Sequence, residues 1–404
     1  MSSEPSNTSD TSTHFQDLLK DLNFGVKSGR KRKHCGPIEP YLHAARWFPL
    51  AIDPFSSLEN VLYEGMEAEF SELREDTLDQ SEESSNRQVH RDKELCIKQY
   101  HELVKLVPTF SDIISGFEKV PSAMDNFIHA LSSAASDARS DDTGSLMREG
   151  LAYMLKNPGV DQFNPPLLRQ HGKIARGWNH PQTARLLCPM RMLDKFDSDP
   201  SSFMDKVKEG EITITAAKLP AFLYDESMLD PTRKRQGCLR GYYLKRVFRH
   251  IFTSPTSAIL ANAHKGTKAQ KGRMHGMTSP LPRAIAYAAV QAYFQLSSAT
   301  QWRQQIEDFD VVLFYDRVVD MFEGNPNAQW VEETLNHWKS ETPGLLHRGR
   351  SRSRTDAGLH AFDDSEDDMD NFFDSEERSP NNEEQGSEGG TAGSSGNADN
   401  LHGI

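Results

Sequence analysis

Leu58-Glu-Asn-Val61-Leu62-Tyr-Glu-Gly-Met66-Glu-Ala-Glu-Phe70-Ser-Glu-Leu73 sets apolar residues three and four positions apart, with carboxylates between them. That is the period of one helical face, and it predicts an amphipathic helix within 57–79. After a polar break at 79–88, Leu95, Tyr100, Leu103, Val104 and Val107 continue the pattern over 89–107, and Pro108 ends it. Apolar clusters follow near 110–117 and 123–135. The polar run 136–144 (SDARSDDTG) reads as a hinge that caps a helix at 145–156. Two short helices are expected in 167–193, broken by Gly172, Gly177 and Pro181, and Asp199 or Ser201 suits the cap of another through Lys208. Further helices are predicted at 237–252, 255–263, 280–298, 306–323 and 328–339, the last capped by Asn325 or Asn327. Ile212-Thr213-Ile214-Thr215 alternates like a strand but is too short to define a sheet.

These patterns predict a mainly α protein: a single irregular helical domain over 38–342, a disordered basic arm at 1–37, and a disordered tail at 343–404 that is Arg/Ser-rich and then acidic. Apolar residues make up 36% of the 404, and the mean hydropathy is −0.65. Disordered ends diluting an ordinary core explain both values. The net charge of −13 is uneven, because residues 356–404 hold 14 carboxylates and one arginine. Removing them leaves 45 basic and 45 acidic residues, a neutral body.

Cys35, Cys96, Cys188 and Cys238 lie far apart, with no C-x-x-C pair. Together with a start that lacks the basic-then-apolar order of a secretory signal, and no long apolar run, this points to reduced thiols in an intracellular protein, nuclear rather than cytoplasmic. No phosphate-binding loop, dinucleotide fingerprint, nucleophile elbow or H-E-x-x-H motif is present. His171 with His180, and His264 with His275, lack a third ligand nearby in sequence, so neither a metal nor a cofactor is expected.

Between Asp230 and Glu307, 76 positions carry no acidic residue and 13 Lys or Arg. Arg233, Lys234, Arg235, Arg240, Lys245, Arg246, Arg249, Lys265, Lys268, Lys271 and Arg273 are the candidate contacts for nucleic acid or another polyanion, because clustered cations repel one another and release counterions on meeting phosphate. Two alternatives remain open. The cations pair with carboxylates of 57–83 inside an ordinary fold, or the acidic tail covers them.

A second acid-free stretch runs from Gln162 to Leu193. It contains Arg176-Gly-Trp178-Asn-His180-Pro and Ala184-Arg-Leu-Leu-Cys-Pro189, where Asn179 suits a cap and Pro181 a first helical turn. Trp178 reads as a loop anchor or as a base-stacking platform. With Ser254-Pro-Thr-Ser-Ala258 and the helix Ala286–Phe294, this stretch resembles an uncharacterised domain family of mushroom-forming fungi, across roughly 40–340. The resemblance implies a fungal source and no catalytic residue.

Arg30-Lys31-Arg32-Lys33 fits a short import signal. Phe15, Leu18, Leu19 and Leu22 have the spacing of a short docking helix. In the tail, Phe362, Met369, Phe372 and Phe373 sit among carboxylates, the composition of segments that offer aromatics to a protein partner. The function expected is thus a non-enzymatic nuclear interaction protein, with a basic surface at 231–306. The rivals are an enzyme with a site around 171–197 (His171, Arg176, His180, Asp194, Asp197) and a scaffold without ligand.

Overall fold

A computed structural model describes residues 13–22, 36–73, 87–230, 235–259 and 270–346. The spacing of Phe15, Leu18 and Leu22 yields a first helix, α1 (residues 13–22), with all three side chains buried. Next come α2 (Glu39–Ala51), α3 (Leu58–Leu73), α4 (Arg87–Val104) and α5 (Phe110–Phe117). Their apolar faces close on α1 in a core that includes Tyr41, Leu62, Met66, Tyr100, Phe110 and Phe117. Burial of each such aromatic side chain is worth roughly 1.5–3 kcal/mol. α3 can lie against α4 because residue 65 is glycine: a Cβ there would meet the Tyr100 ring at 2.0 Å.

The 29-residue α6 (Pro121–Glu149) joins two cores. Phe127, Ile128 and Leu131 face the first, whereas Ala138 and Leu146 face a second. α2 straddles the same divide, with Tyr41 and Phe48 on one side and Trp47 and Leu50 on the other. The hinge expected at 136–144 is therefore helix interior. Its polar residues are held by tertiary partners: Arg139 donates to the Pro54 carbonyl at 2.6 Å, Asp141 accepts from Arg46 at 2.6 Å, and Asp142 is buried. Ala134, Ala135, Ala138, Asp142 and Leu146 form one buried stripe at helical spacing.

The second core gathers α7 (Pro181–Leu187), α8 (Leu193–Ser198), α9 (Pro200–Lys208), α10 (Tyr242–Phe252), α11 (Pro255–Ile259), α13 (Pro282–Leu296), α14 (Val311–Glu323), α15 (Gln329–Glu341) and α16 (Pro343–Leu346), with the short α12 (Lys271–Met274) lying against α10. α13 is its axis, buried at every residue from Ala284 to Leu296. A two-residue hairpin, β1 (Gln305–Ile306) with β2 (Phe309–Asp310), precedes α14, where the sequence suggested helix from 306. Residues 212–215 form no strand.

Caps follow local geometry more than residue type. Asp199 caps α9, accepting from the Ser202 amide at 3.0 Å, as expected. The cap of α7 is His180 rather than Asn179, with its Nδ1 accepting from the Gln182 amide at 3.2 Å. α15 starts at Ala328 without a side-chain cap, so neither Asn325 nor Asn327 serves. The protein is mainly α, and no helix among the described residues is long and apolar enough to cross a membrane.

Candidate functional site

The described cations of the acid-free window do not share one open face. On α10, Lys245 meets Glu341 at 3.2 Å, and Arg249 pairs with the same carboxylate while its Nε donates to the Glu341 carbonyl at 2.9 Å. Arg246 donates to three carbonyls that end the chain's run past α6, those of Tyr153 (3.0 Å), Leu155 (2.5 Å) and Lys156 (2.8 Å). Its guanidinium also sits 4.9 Å from the Tyr242 ring centre. Burial pulls the pKa of Arg246 and Arg249 below the ordinary arginine value, and for Arg249 the Glu341 carboxylate opposes that pull. Lys271 pairs with Asp142, and Arg283 grips Glu323 at 2.7 and 2.8 Å. These partners come from α6, α14 and α15 rather than from 57–83.

Three of the eleven candidate contacts keep more freedom. Arg235 is exposed, with its guanidinium 5.5 Å from the Trp330 ring centre. Arg240 is half-buried and its Nε has no partner among the described residues. Arg273 is exposed and has no carboxylate partner among the described residues. Arg235 lies at the start of α15, whereas Gly272, next to Arg273, lies against Leu345 past the end of that helix. Thirteen helical residues separate these places by about 20 Å. Arg233, Lys234, Lys265 and Lys268 fall outside the described residues, as do Arg30, Lys31, Arg32, Lys33, Phe362, Met369, Phe372 and Phe373.

Beneath Lys271 runs a buried polar network. Asp142 accepts from Lys271 and from Tyr287 (3.1 Å). Gln291 donates to the Tyr287 oxygen at 3.0 Å, Thr143 donates to Gln291 at 3.2 Å, and Gln295 donates to the Thr143 carbonyl at 3.1 Å. Burial drives the Asp142 carboxyl upward, while Lys271 and Tyr287 pull it back. One turn on, Ser145 and Tyr153 bracket His250 at 2.8 and 2.9 Å, and burial pushes His250 down to about 4. His275 is stacked between His43 (3.8 Å) and Trp47 (4.4 Å). Burial first, then His43, Lys271 and Arg46, lower its pKa to about 2. The sequence reading missed Asp142, Tyr287 and Gln291; the spacing of Ala135, Ala138, Asp142 and Leu146 was the available signal.

The residues of the rival catalytic reading scatter into separate local roles. His171 accepts from the Leu168 amide at 3.2 Å. Arg176 donates to the Gln295 carbonyl at 2.9 Å, and Lys173 donates to the Phe294 carbonyl at 2.6 Å. Both cap the C-terminus of α13, whose last carbonyls lack helical partners and carry its negative dipole end. Burial, then Arg176, bring the Lys173 amine down to about 6. His180 contacts the Pro165 carbonyl at 2.8 Å, and Asp197 binds Arg185 on the surface at 2.8 Å. Asp194 lies in the first turn of α8. Trp178 is buried, 6.2 Å from Phe203 ring to ring, which is the anchoring role. Among the described residues no group of His, Cys, Asp and Glu is arranged to hold a metal.

Fold and site together define an irregular, mainly helical protein in which Lys173, Arg176, Lys245, Arg246, Arg249, Lys271 and Arg283 are met by its own carboxylates and carbonyls. The chain belongs to a family of unknown function, DUF6698, whose model matches residues 133–342. That match starts in the middle of α6, so it takes in the second core and leaves most of the first outside it. Among curated proteins and solved structures, no match was found.

Proposed function

We propose that this chain is a non-enzymatic interaction protein that holds a polyanion, nucleic acid first, on the stretch from Lys265 to Arg273, with Arg233, Lys234 and Arg235 as a second and separate contact. The observation that carries this reading is the contrast within the acid-free window. Lys245, Arg249, Lys271 and Arg283 each have a carboxylate, whereas Arg273 is exposed without one among the described residues. A cation left uncompensated gains most from an incoming phosphate. That His180, Arg176, Lys173 and His250 are engaged by structural partners supports the non-enzymatic part.

The same reading includes nuclear import through Arg30, Lys31, Arg32 and Lys33, a protein partner engaged by Phe362, Met369, Phe372 and Phe373, and the fungal source that the sequence resemblance implies. The test is filter binding of a duplex and of a single strand across a salt series. Binding is expected to weaken with salt, and Lys265→Glu, Lys268→Glu and Arg273→Glu together to lower the log–log slope by about 2–3. Equal binding by parent and triple variant, or none at low salt, refutes the reading. A fluorescent fusion with the four basic residues 30–33 replaced by alanine reads the import step.

A further inference from the structure

Three rings stack where α2 meets the end of α12. The imidazole of His275, the residue that closes α12, lies between His43 at 3.8 Å and Trp47 at 4.4 Å, with interplanar angles of 18° and 12°. His43 and Trp47 are four positions apart and so share one face of α2. Trp47 is buried and meets Phe252 edge-on at 5.9 Å, whereas both histidines are half-buried. α12 itself has four residues, too few to hold a helix unaided. Its other anchors are the Lys271–Asp142 ion pair and the contact of Gly272 with Leu345. The amides of Met274, His275, Gly276 and Met277 bond back to the carbonyls of Gln270, Lys271, Arg273 and Gly272, so this short piece reports its own opening.

The surroundings of the stack disfavour a proton on it. His43 and Arg46 of α2 and Lys271 of α12 all act on the His275 ring, and each is a cation or becomes one. The carboxylates of α6 are engaged elsewhere: Asp142 holds Lys271, Asp141 holds Arg46 at 2.6 Å, and Asp137 is also drawn to Arg46. His250, the other histidine close to Lys271, is bracketed by Ser145 and Tyr153 instead. Burial, and after it these positive neighbours, hold His275 down at about 2, and burial with Arg46 lowers His43 as well. The face of Trp47 attracts a cation, but burial and three positive neighbours outweigh it. The stacked ring is therefore the neutral one.

We infer that the His43–His275–Trp47 stack is a proton-operated latch, which holds the end of α12 on α2 at neutral pH and releases it in acid. Once the rings part, His275 regains an ordinary histidine value near 6.5, so each pH unit below that favours the open form about tenfold. Opening also converts a neutral ring into a cation two positions from the exposed Arg273. The latch therefore couples proton uptake to the positive charge that this end of the basic segment presents to phosphate. That last step rests on the reading of 265–273 as a polyanion contact; the latch itself does not.

Hydrogen exchange on the full chain at pH 7.5 and pH 5.5, corrected for intrinsic rates, reads the latch in the amides of residues 274–277, with the fully buried α13 as reference. Their protection is expected to fall about tenfold in the parent over that interval. His275→Phe keeps a ring in the stack but takes no proton, and its protection should stay level. His43→Phe retains the titrating ring and should retain the fall. No fall in the parent, an equal fall in His275→Phe, a level response in His43→Phe, or a fall that α13 shares in full overturns the inference. Filter binding of a single strand at one ionic strength reads the coupling: from pH 7.5 to pH 5.5 the parent should gain about tenfold more affinity than His275→Phe. An equal gain refutes the coupling. Absence of binding by either protein at low salt refutes the polyanion reading alone, because the exchange result needs no nucleic acid.

Discussion

Replacing Lys271 by methionine isolates the cost of the ion pair beneath the basic segment. Asp142 has a side chain only 6% exposed, and its charge is balanced by Lys271, which is 33% exposed. Removing one partner of a buried pair typically costs about 3–5 kcal/mol, since the surviving charge stays desolvated. The partial exposure of Lys271 lets water take its place, so the lower end, about 3 kcal/mol, is expected. Asp142→Asn removes the charge and keeps an oxygen for Tyr287. The double variant Asp142→Asn/Lys271→Met should therefore lose less than half of what Lys271→Met alone loses. Urea titrations of parent, single and double variants give the cycle. The pH dependence has a definite sign: the Asp142 carboxyl, raised above 3.8 by burial, rises further once Lys271 is gone. A carboxyl that is easier to protonate in the fold than in the unfolded chain loses stability as pH rises through its folded value. The deficit of Lys271→Met relative to the parent should shrink between pH 7 and pH 4.5. A deficit under 1 kcal/mol, a double variant equal to the sum of the singles, or a deficit that grows toward acid refutes the account of this pair.

The histidines predict acid sensitivity of the whole fold: His275 and His250 lie far below the usual histidine range, so their neutral forms are the folded ones. Stability from both is full above about pH 6.5 and falls below it, by at most about 1.4 kcal/mol per group per pH unit; urea midpoints at pH 7.5, 6 and 5 should descend, less steeply in His275→Phe. Gly65→Ala forces a Cβ into the Tyr100 ring, and its net cost, set against the better helix propensity of alanine, should be about 2 kcal/mol by chemical denaturation.

Much of the helical layout was legible because one face per helix is apolar: Leu58, Val61, Leu62, Met66 and Phe70 mark α3, and all are buried. Phe15, Leu18 and Leu22 marked α1 in the same way. The break drawn at 136–144 failed because Asp141, Asp142 and Arg139 look solvated in sequence, while in space each has a partner more than 80 positions away. The acid-free window was a real feature of the chain, but the absence of carboxylates along a sequence says nothing of those brought in by Asp142, Glu323 and Glu341. Arg176 and His180 stood out as reactive types; their work at the end of α13 and the start of α7 depends on backbone carbonyls and amides that no motif records.

The continuity of α6 across both cores bears on where this chain could be divided. The family match begins at residue 133, inside that helix, so residues 133–342 taken alone would carry a severed helix and an uncovered Ala138–Leu146 stripe that Trp47 and Leu50 no longer shield. A fragment cut at residue 133 would thus lose the covering of that stripe, which ties the second core of this chain to the helices that come before it.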